Sequence, residues 1–376
     1  MVGTVGDQDD GSDRPEHAQA TGASGPVLVT GAFGLVGTAV VRTLSAAEIR
    51  VVASDLDIAA NRRTARRLTR AGITVRWADL TAPEQVEALL DTERPSAIVH
   101  LAAIIPPVCY QRRRLARAVN VDATATLVRC AEKLPIPPRF VLASSIAVYG
   151  ARNPHRDESL LTADTSMRPA DLYGAHKVAA EGLVRGSNLE WVILRLGGVL
   201  SVEPMPGVNS DTLYFEAAIP ADGRINTVDV RDVAAAMVAA TTTPSTKEVF
   251  LIGGDRSHRL RQRDIGSSVA AASGLPDAIP PGRPGDPARD EDWFATDWMD
   301  TARAQDVLRF QHHSFSDMLA EIRARTGLLR YLAAPAAPLL RWYLRRLSPY
   351  RGDPRAFADP WNAIRTRLGD PDPDLL

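Results

Sequence analysis

The chain has 376 residues, of which 45% are hydrophobic and 24% are charged, the proportions of an ordinary globular protein. Its 44 basic and 45 acidic residues leave a formal net charge of −1. No overall field therefore favours nucleic acid or acidic ligands, and a charged partner must meet a local patch. No apolar run approaches the ~18 residues that a membrane-spanning helix needs. The composition thus excludes fibrous, strongly disordered and membrane-spanning proteins.

The first segment of the chain, residues 1–25, is rich in Gly, Asp, Ser and Ala. It lacks the apolar stretch of a signal peptide, so the sequence predicts a disordered leader. The two cysteines, Cys109 and Cys130, do not have metal-ligand spacing, and no metal site is expected. A cytoplasmic, reducing location fits these features.

From Val27 onward, short runs of Val, Ile and Leu alternate with longer segments of helical periodicity. This alternation is typical of a parallel sheet with helices on both faces, and it predicts an α/β fold with a doubly wound sheet. The predicted strands are Val27–Thr30, Val51–Ser54, Thr74–Trp77, Ala97–Leu101, Phe140–Ala143, Trp191–Leu194 and Val249–Ile252. The predicted helices are Gly37–Ala46, Ile58–Ala71, Pro83–Asp91, Val121–Lys133 and Ala175–Arg185.

A glycine-rich turn joins the first predicted strand to the first helix. Gly31 permits the tight turn, Gly34 lets a pyrophosphate approach the backbone, and Gly37 lets the helix pack on the strand. About 20 residues later, Asp55 ends the second strand, where a carboxylate can accept hydrogen bonds from the adenosine ribose and repel a 2′-phosphate. These features predict a Rossmann-like dinucleotide site for NAD.

Two further groups bear on the choice of dinucleotide. Arg62 and Arg63 follow Asp55 closely, and they either receive a 2′-phosphate or form a solvated helix face. Asp79 and Leu80 close the third strand, where an acceptor and an apolar side chain can hold an adenine ring. We therefore expect NAD as the cofactor, with NADP as the less favoured alternative.

Tyr173 and Lys177 stand four residues apart in a predicted helix, so their side chains lie on one face. A phenol with a pKa near ~10 is a poor base at neutral pH unless a cation stabilises the phenolate. Lys177 can supply that cation and can also bind the nicotinamide ribose. Ser145 leaves the fifth strand at the carboxyl edge of the sheet, where its hydroxyl can polarise the reacting oxygen. We therefore predict these three residues to be catalytic.

With these motifs in this order, the chain resembles the extended short-chain dehydrogenases/reductases, the NAD-dependent epimerase/dehydratase family. The resemblance covers about residues 26–325 and relates Arg195 and the segment Val228–Asp232 to late strand motifs. It implies a homodimer formed through the helices that carry Asn120 and Tyr173. It also implies a set of cofactor-binding residues: Gly31, Phe33, Gly34, Leu35, Gly37, Asp55, Asp79, Leu80, Leu101, Ala102, Ala103, Asn120, Tyr173 and Lys177.

The same resemblance suggests how the chain is divided. The expected NAD-binding core is residues 26–195 with 227–252, and the expected substrate-binding part is small, formed by residues 196–226 and 253–325. A Pro-, Gly- and Asp-rich stretch, Pro276–Arg289, predicts a loop that separates the main body from a C-terminal piece. Residues 326–376 form a helical extension beyond the resemblance.

Departures from the family pattern narrow the expected reaction. Ile146 and Ala147 stand where family sugar dehydratases carry an acidic pair, so dehydration is not expected. Fewer than 40 residues separate Arg195 from Asp232, which removes much of the surface that would hold a nucleotide diphosphate. We expect an NAD(P)-dependent oxidoreductase that transfers hydride reversibly at a carbinol or carbonyl carbon of a small hydroxylated substrate.

Two alternatives stay open beside the oxidoreductase. One is a sugar or nucleotide-sugar epimerase with tightly bound NAD, and the other is a non-catalytic NAD(P)-sensing protein, which the tyrosine–lysine pair disfavours. Arg112, Arg113 and Arg114 follow the fourth strand, and they either receive an anionic substrate group or form a solvated cluster. His176, inside the tyrosine motif, is expected at the surface.

The C-terminal extension has its own charge pattern. Between Ile322 and Gly352 there are seven arginines and no acidic residue. A helix here can pack on its own domain or at a dimer interface, or it can lie on an anionic membrane. Pro335 and Pro338 are expected to break this helix into two pieces. The predicted apolar face consists of Leu339, Leu340, Tyr343, Leu344 and Leu347.

Overall fold

The computed structural model describes residues 25–203 and 209–374, so the predicted leader lies almost wholly outside the described residues. The strands are β1 Val27–Thr30, β2 Val51–Asp55, β3 Thr74–Trp77, β4 Ala97–His100, β5 Arg139–Ser145, β6 Trp191–Leu196, β7 Gly198–Leu200, β8 Arg224–Asp229, β9 Glu248–Ile252 and β10 Arg259–Arg261. The helices are α1 Leu35–Ala46, α2 Ala59–Arg70, α3 Pro83–Glu93, α4 Val108–Gln111, α5 Arg113–Arg117, α6 Ala123–Glu132, α7 Leu172–Arg185, α8 Ser210–Ala218, α9 Val230–Ala240, α10 Gln262–Ala272, α11 Ala302–Leu308, α12 Phe315–Thr326, α13 Leu329–Ala333, α14 Ala337–Leu347 and α15 Pro360–Arg367.

The central feature is a seven-stranded parallel sheet in the order β3-β2-β1-β4-β5-β6-β9. From β1 the chain first builds outward through β2 and β3, and it then returns to place β4 on the other side of β1. This reversal creates a switch point between β1 and β4, where open α/β sheets bind ligands at the carboxyl ends of their strands. The predicted fold class is confirmed.

Helices cover both faces of this sheet. On one face α1 and α9 pack together over the strands through residues such as Val40 and Val233. On the other face α3, α6 and α7 bury residues such as Leu90, Leu127 and Val184. Strands covered on both faces lose polar alternation, which explains the continuous apolar runs of β1 and β4. The edge strand β3 differs, since three of its four residues are exposed.

Beside the parallel sheet lies a second, three-stranded sheet in the order β10-β8-β7, which the sequence patterns did not predict. The segment Pro276–Arg289 is a loop, as predicted, and it is hydrogen-bonded to the C-terminal extension. The guanidinium of Arg283 donates to the carbonyl oxygens of Tyr350 and Asp353 at 3.2 and 3.0 Å. The Ala358 amide also donates to the Pro284 carbonyl at 2.8 Å.

The C-terminal extension is helical, as predicted. Both α14 and α15 pack against α8, and the chain then returns to the start of α7, where the Leu172 amide donates to the Pro371 carbonyl at 2.7 Å. Across the described residues, no helix is long and apolar enough to cross a bilayer.

Candidate active site

The glycine turn between β1 and α1 is shaped by close backbone contacts. Gly31 has a φ of +66°, and a Cβ there would lie 2.7 Å from the amide nitrogen of Ala102. A Cβ on Gly37 would lie 2.2 Å from the carbonyl oxygen of Gly31. A Cβ on Gly34 would meet its nearest atom only at 3.5 Å, so space remains beside the backbone. The turn therefore needs Gly31 and Gly37 for its own packing, whereas Gly34 leaves room for a ligand.

Asp55, at the end of β2, faces this turn. Its carboxylate accepts hydrogen bonds from the amides of Phe33 and Leu56 at 3.0 and 2.8 Å and from the Asn61 side chain at 3.1 Å. The nearby Arg62 is exposed and forms a 2.7 Å ion pair with Asp57, which agrees with the solvated-helix interpretation of this residue. The carboxylate of Asp55 is thus fixed against the glycine turn.

The remaining predicted cofactor residues line the same sheet edge. The Asp79 carboxylate accepts from the amide and hydroxyl of Thr81 at 2.9 and 2.7 Å, and the neighbouring Leu80 is buried. The Leu101 amide donates to the Thr30 carbonyl at 3.2 Å. The structure therefore places Leu101, Ala102 and Ala103 directly after β4, beside the glycine turn.

Ser145 and Tyr173 come together at the carboxyl end of β5. Ser145 is the last residue of the strand, and its hydroxyl caps a short 3₁₀ helix by accepting from the Ala147 amide at 3.2 Å. Tyr173 lies in the first turn of α7, which begins at Leu172 because the Asp171 carboxylate accepts from the Gly174 amide at 3.0 Å. The Ser145 hydroxyl lies near enough to the Tyr173 phenol to lower the pKa of that phenol.

The ionisation of Tyr173 differs from the sequence-based expectation. Burial raises the pKa of Tyr173 well above its ordinary value, the charges of Cys109 and Asp171 raise it further, and only the hydrogen bond from Ser145 lowers it. The ammonium of Lys177 lies 5.7 Å from the centre of the Tyr173 ring and donates to the Ala143 carbonyl at 2.7 Å. In this structure the ammonium of Lys177 is bonded to backbone, and burial dominates the pKa of Tyr173.

Burial also acts on Lys177 itself. It lowers the pKa of Lys177 to about 8, against an opposing effect of the nearby Glu181 carboxylate. Near neutral pH this side chain is therefore close to its titration range. A lysine in this condition can hold or release a proton at little cost.

A buried ion pair between Arg195 of β6 and Glu181 joins α7 to the sheet. The sequence patterns did not predict it. The Arg195 guanidinium donates to both oxygens of Glu181, at 2.9 and 2.7 Å, and to the Tyr149 hydroxyl at 2.6 Å. Ser144 donates to the same carboxylate at 2.6 Å. Although burial opposes it, the bonds and charge of Arg195 hold the pKa of Glu181 below its ordinary value. The signal was Arg195, a charged residue in an otherwise apolar strand.

Asn120 lies in a π-helical turn, Ala118–Asp122, just before α6. Its amide group accepts from the Ile104 amide at 2.8 Å and donates to the Ile104 carbonyl at 2.9 Å. Asn120 therefore holds the segment that follows β4. His176, expected at the surface, is instead fully buried, with its ring 3.5 Å from the Asn120 amide and 3.5 Å from Asp374. The C-terminal extension covers it, which the sequence pattern did not reveal.

Arg113 also contacts this last segment of the chain. Its guanidinium donates to the carbonyls of Asp370 and Asp372 at 2.7 and 2.8 Å and pairs with the Asp374 carboxylate. Arg113 therefore neither faces a substrate group nor lies free in solvent. It holds the end of the C-terminal extension against the body of the protein.

The side of Tyr173 away from the glycine turn is apolar and aromatic. Tyr173 packs into a cluster with residues of α4, α8 and α15, including Phe215 and Ile364. The Phe294 ring lies 5.6 Å from that of Phe215 and 5.3 Å from that of Trp361. One wall of the candidate site is therefore built partly by the C-terminal extension, which the resemblance did not cover.

Comparison with known sequences decides the family. The profile of the NAD dependent epimerase/dehydratase family matches residues 27–253, well over half of the chain. The chain belongs to this family. The resemblance predicted from the ordered motifs is confirmed.

This member of the epimerase/dehydratase family is 30% identical to the D-erythronate dehydrogenase of Cupriavidus necator over 191 residues, 47% of this chain and 56% of that protein. It is 30% identical to a UDP-glucose 4-epimerase of Azospirillum brasilense over 196 residues, 49% of this chain and 52% of that protein. The matched stretch thus spans about half the length of these relatives.

A solved structure agrees on the fold. The UDP-glucose 4-epimerase of Thermus thermophilus, in complex with NAD, superposes with a TM-score of 0.65 at 22% identity, covering 80% of this chain and 98% of that one. About a fifth of this family member has no counterpart there.

Proposed function

We propose that this protein is an NAD-dependent dehydrogenase/reductase that acts on a carbinol or carbonyl carbon. The observation that carries the proposal is the position of Ser145 and Tyr173 together at the carboxyl end of β5, where Lys177 also donates to the Ala143 carbonyl. Family membership and the dehydrogenase among its relatives support it.

The described residues fit a dinucleotide. The amides at the start of α1 would face the pyrophosphate, because the open space beside Gly34 allows close approach and the helix end attracts anions. Asp55 would accept from the ribose, and Leu101–Ala103 would border the nicotinamide half. Bound NAD⁺ supplies the hydride acceptor for alcohol oxidation.

The protein's own groups would then handle the proton. In oxidation Tyr173 takes the hydroxyl proton of the substrate, and in reduction it returns that proton. Ser145 holds the reacting oxygen. Since burial raises the pKa of Tyr173, oxidation of the alcohol should speed up as pH rises, whereas reduction should be favoured at neutral pH.

The substrate we propose is small and lacks a nucleoside diphosphate. Such a group needs arginines that point into the site, and three arginines of the substrate-binding part instead bond to backbone carbonyls. Arg224 donates to Asp157 at 2.7 Å, Arg261 to Asp222 at 2.8 Å, and Arg283 to Tyr350 at 3.2 Å. The aromatic surroundings of Tyr173 suit an uncharged portion of the substrate.

An epimerase with tightly held NAD is the second candidate, and the epimerases among the relatives favour it. The two are separated by denaturing freshly purified protein and identifying any released nucleotide, with absorbance at ~340 nm reporting the reduced form. Stoichiometric NAD that does not exchange would favour the epimerase. A site that binds added NAD reversibly and turns over alcohols or ketones supports the dehydrogenase.

The preference for NAD rests on Asp55, and tighter binding of NADP than NAD by the wild type would contradict it. From the resemblance we also propose a homodimer that pairs the helices carrying Asn120 and Tyr173, which sedimentation analysis tests. Lastly, we propose that the enzyme works in the cytoplasm.

A further inference from the structure

The C-terminal extension carries an unusual apolar surface. From Leu328 to Leu347 the chain forms α13, a short 3₁₀ turn and α14, and its backbone stays right-handed helical across the junctions. Pro335 and Pro338 interrupt the α-helical pattern without ending the helical path. Seven large apolar side chains of this segment are exposed: Leu328, Leu329, Tyr331, Leu332, Leu339, Trp342 and Tyr343. These seven residues are called the exposed apolar face.

The exposed residues recur with helical spacing. Leu328, Leu332, Leu339 and Tyr343 are separated by four, seven and four positions, so they form one stripe along the helical path. Leu328 and Leu332 are 82% and 78% exposed. A monomeric protein rarely shows a continuous apolar surface of this kind unless something binds it.

The inner side of the same segment packs on the protein. Ala337 is buried, Leu340 and Leu344 are half-buried, and Leu347 contacts the cluster that contains Tyr173. The predicted apolar face is therefore split, with Leu339 and Tyr343 pointing outward. Packing on the domain covers only three of the ten large apolar side chains of this segment.

The charge around the face identifies its partner. Arginines occur before, within and after it along the chain, and the stretch from Ile322 to Gly352 contains no acidic residue. The guanidinium groups of Arg330 and Arg346 lie over the rings of Tyr331 and Trp342, at 4.8 and 4.7 Å. Aromatic rings with polar edges beside cationic side chains suit the boundary between lipid headgroups and acyl chains.

We propose that the exposed apolar face binds an anionic lipid bilayer, with the helical segment 328–347 lying in the plane of the membrane surface. The apolar stripe enters the headgroup boundary, and the surrounding arginines meet lipid phosphates. Because α14 also packs beside the Tyr173 cluster, the membrane would lie next to the substrate side of the site. Membrane binding does not depend on the proposed reaction.

A second copy of this chain is a less suitable occupant. A symmetric dimer formed through this face would place two arginine-rich segments against each other, and neither segment contains an acidic residue of its own. That arrangement is repulsive. An anionic bilayer meets both the apolar and the cationic character of the surface.

Flotation of the full chain with lipid vesicles tests the proposal. We expect the wild type to float with vesicles of phosphatidylcholine and phosphatidylglycerol, to float poorly with phosphatidylcholine alone, and to detach as salt is raised. The triple variant Leu328→Glu, Leu332→Glu and Leu339→Glu should partition at least about tenfold less. These side chains are exposed, so thermal unfolding should be unchanged.

The matched control is Ile136→Glu. Ile136 is 82% exposed in the loop between α6 and β5, so this variant makes the same chemical change far from the proposed face and should float like the wild type. Equal flotation of the triple variant and the wild type overturns the proposal, as does a wild type that binds neither kind of vesicle. Loss of a lipid-free oligomer in the triple variant would instead assign the face to a second copy.

Discussion

Strand β1 and the helical segment 328–347 are both rich in apolar residues, but they end in opposite environments. Leu28 and Val29 of β1 are fully buried between two helical layers, whereas Leu328 and Leu332 are mostly exposed. In β1 the neighbouring strands and helices belong to the same chain. Hydrophobicity alone therefore indicates that a side chain is more stable when buried. Only the surrounding structure shows whether the same chain or a partner buries it.

The largest expected effect concerns the nucleotide-binding half. Tyr173→Phe removes the only atom in our mechanism that carries the substrate proton, so turnover should fall about 10²–10⁴-fold. The substitution keeps the aromatic ring in its apolar cluster, so thermal unfolding should change little. Steady-state kinetics with a calorimetric check measure both. Near-normal turnover in a folded variant would show that another group moves the proton.

Two substitutions compare the buried and the exposed side of the C-terminal extension. Ile364 of α15 is fully buried in the cluster that contains Tyr173, so Ile364→Ala should cost about 2–5 kcal/mol of unfolding free energy and lower activity. Leu339→Ala, on the exposed side, should change stability by less than about 0.5 kcal/mol. Denaturant titration compares them. Similar small losses would mean that the extension is not part of the folded core.

Lys177→Met tests the buried ammonium. Its pKa in the folded protein is about 8, below the ordinary 10.5, so the unfolded chain binds more protons between these values. Wild-type stability should therefore rise with pH across that window, by roughly 3 kcal/mol in total. The variant should lack this rise and lose activity. Unfolding free energies measured at pH 7, 9 and 10.5 for both proteins decide it, and parallel curves would disprove the shift.

The smallest effect on stability is expected at Arg113, which binds the last segment of the chain. Arg113→Ala removes the bonds to Asp370, Asp372 and Asp374, and global stability should fall by less than about 1 kcal/mol. The Leu172 amide, bonded to Pro371, should exchange with solvent faster as the last segment detaches. Hydrogen exchange measures this. An unchanged rate at Leu172 would show that the segment is held by its apolar contacts alone.

Much of the sheet could be predicted because its signals are local. The seven strands of the parallel sheet, the glycine turn and the α7 pair all lie within short stretches of pattern. The strand ends were predicted too early: β5 continues to Ser145 and β6 to Leu196, because Ser144 still pairs with Arg195 and Ser145 with Leu196. The three-stranded sheet was missed because β7 and β10 have only three residues each.

The site was predictable in its residue types but not in its environment. Sequence spacing brought Ser145, Tyr173 and Lys177 together, and the structure places them so. The raised tyrosine pKa depends on burial, which spacing cannot give. The covering of His176 by Asp374 joins positions almost 200 residues apart, and local pattern carries no information at that distance.

The buried pair Arg195 and Glu181 has a consequence for how this sequence can change over time. Losing either partner would strand a charge inside the protein, at a cost of about 3–5 kcal/mol, whereas replacing both with apolar residues can be nearly neutral. Each single substitution is therefore strongly destabilising, even though the protein can tolerate replacement of both residues. We therefore expect the two positions to change together, so that a homologue that lacks the arginine also lacks the glutamate.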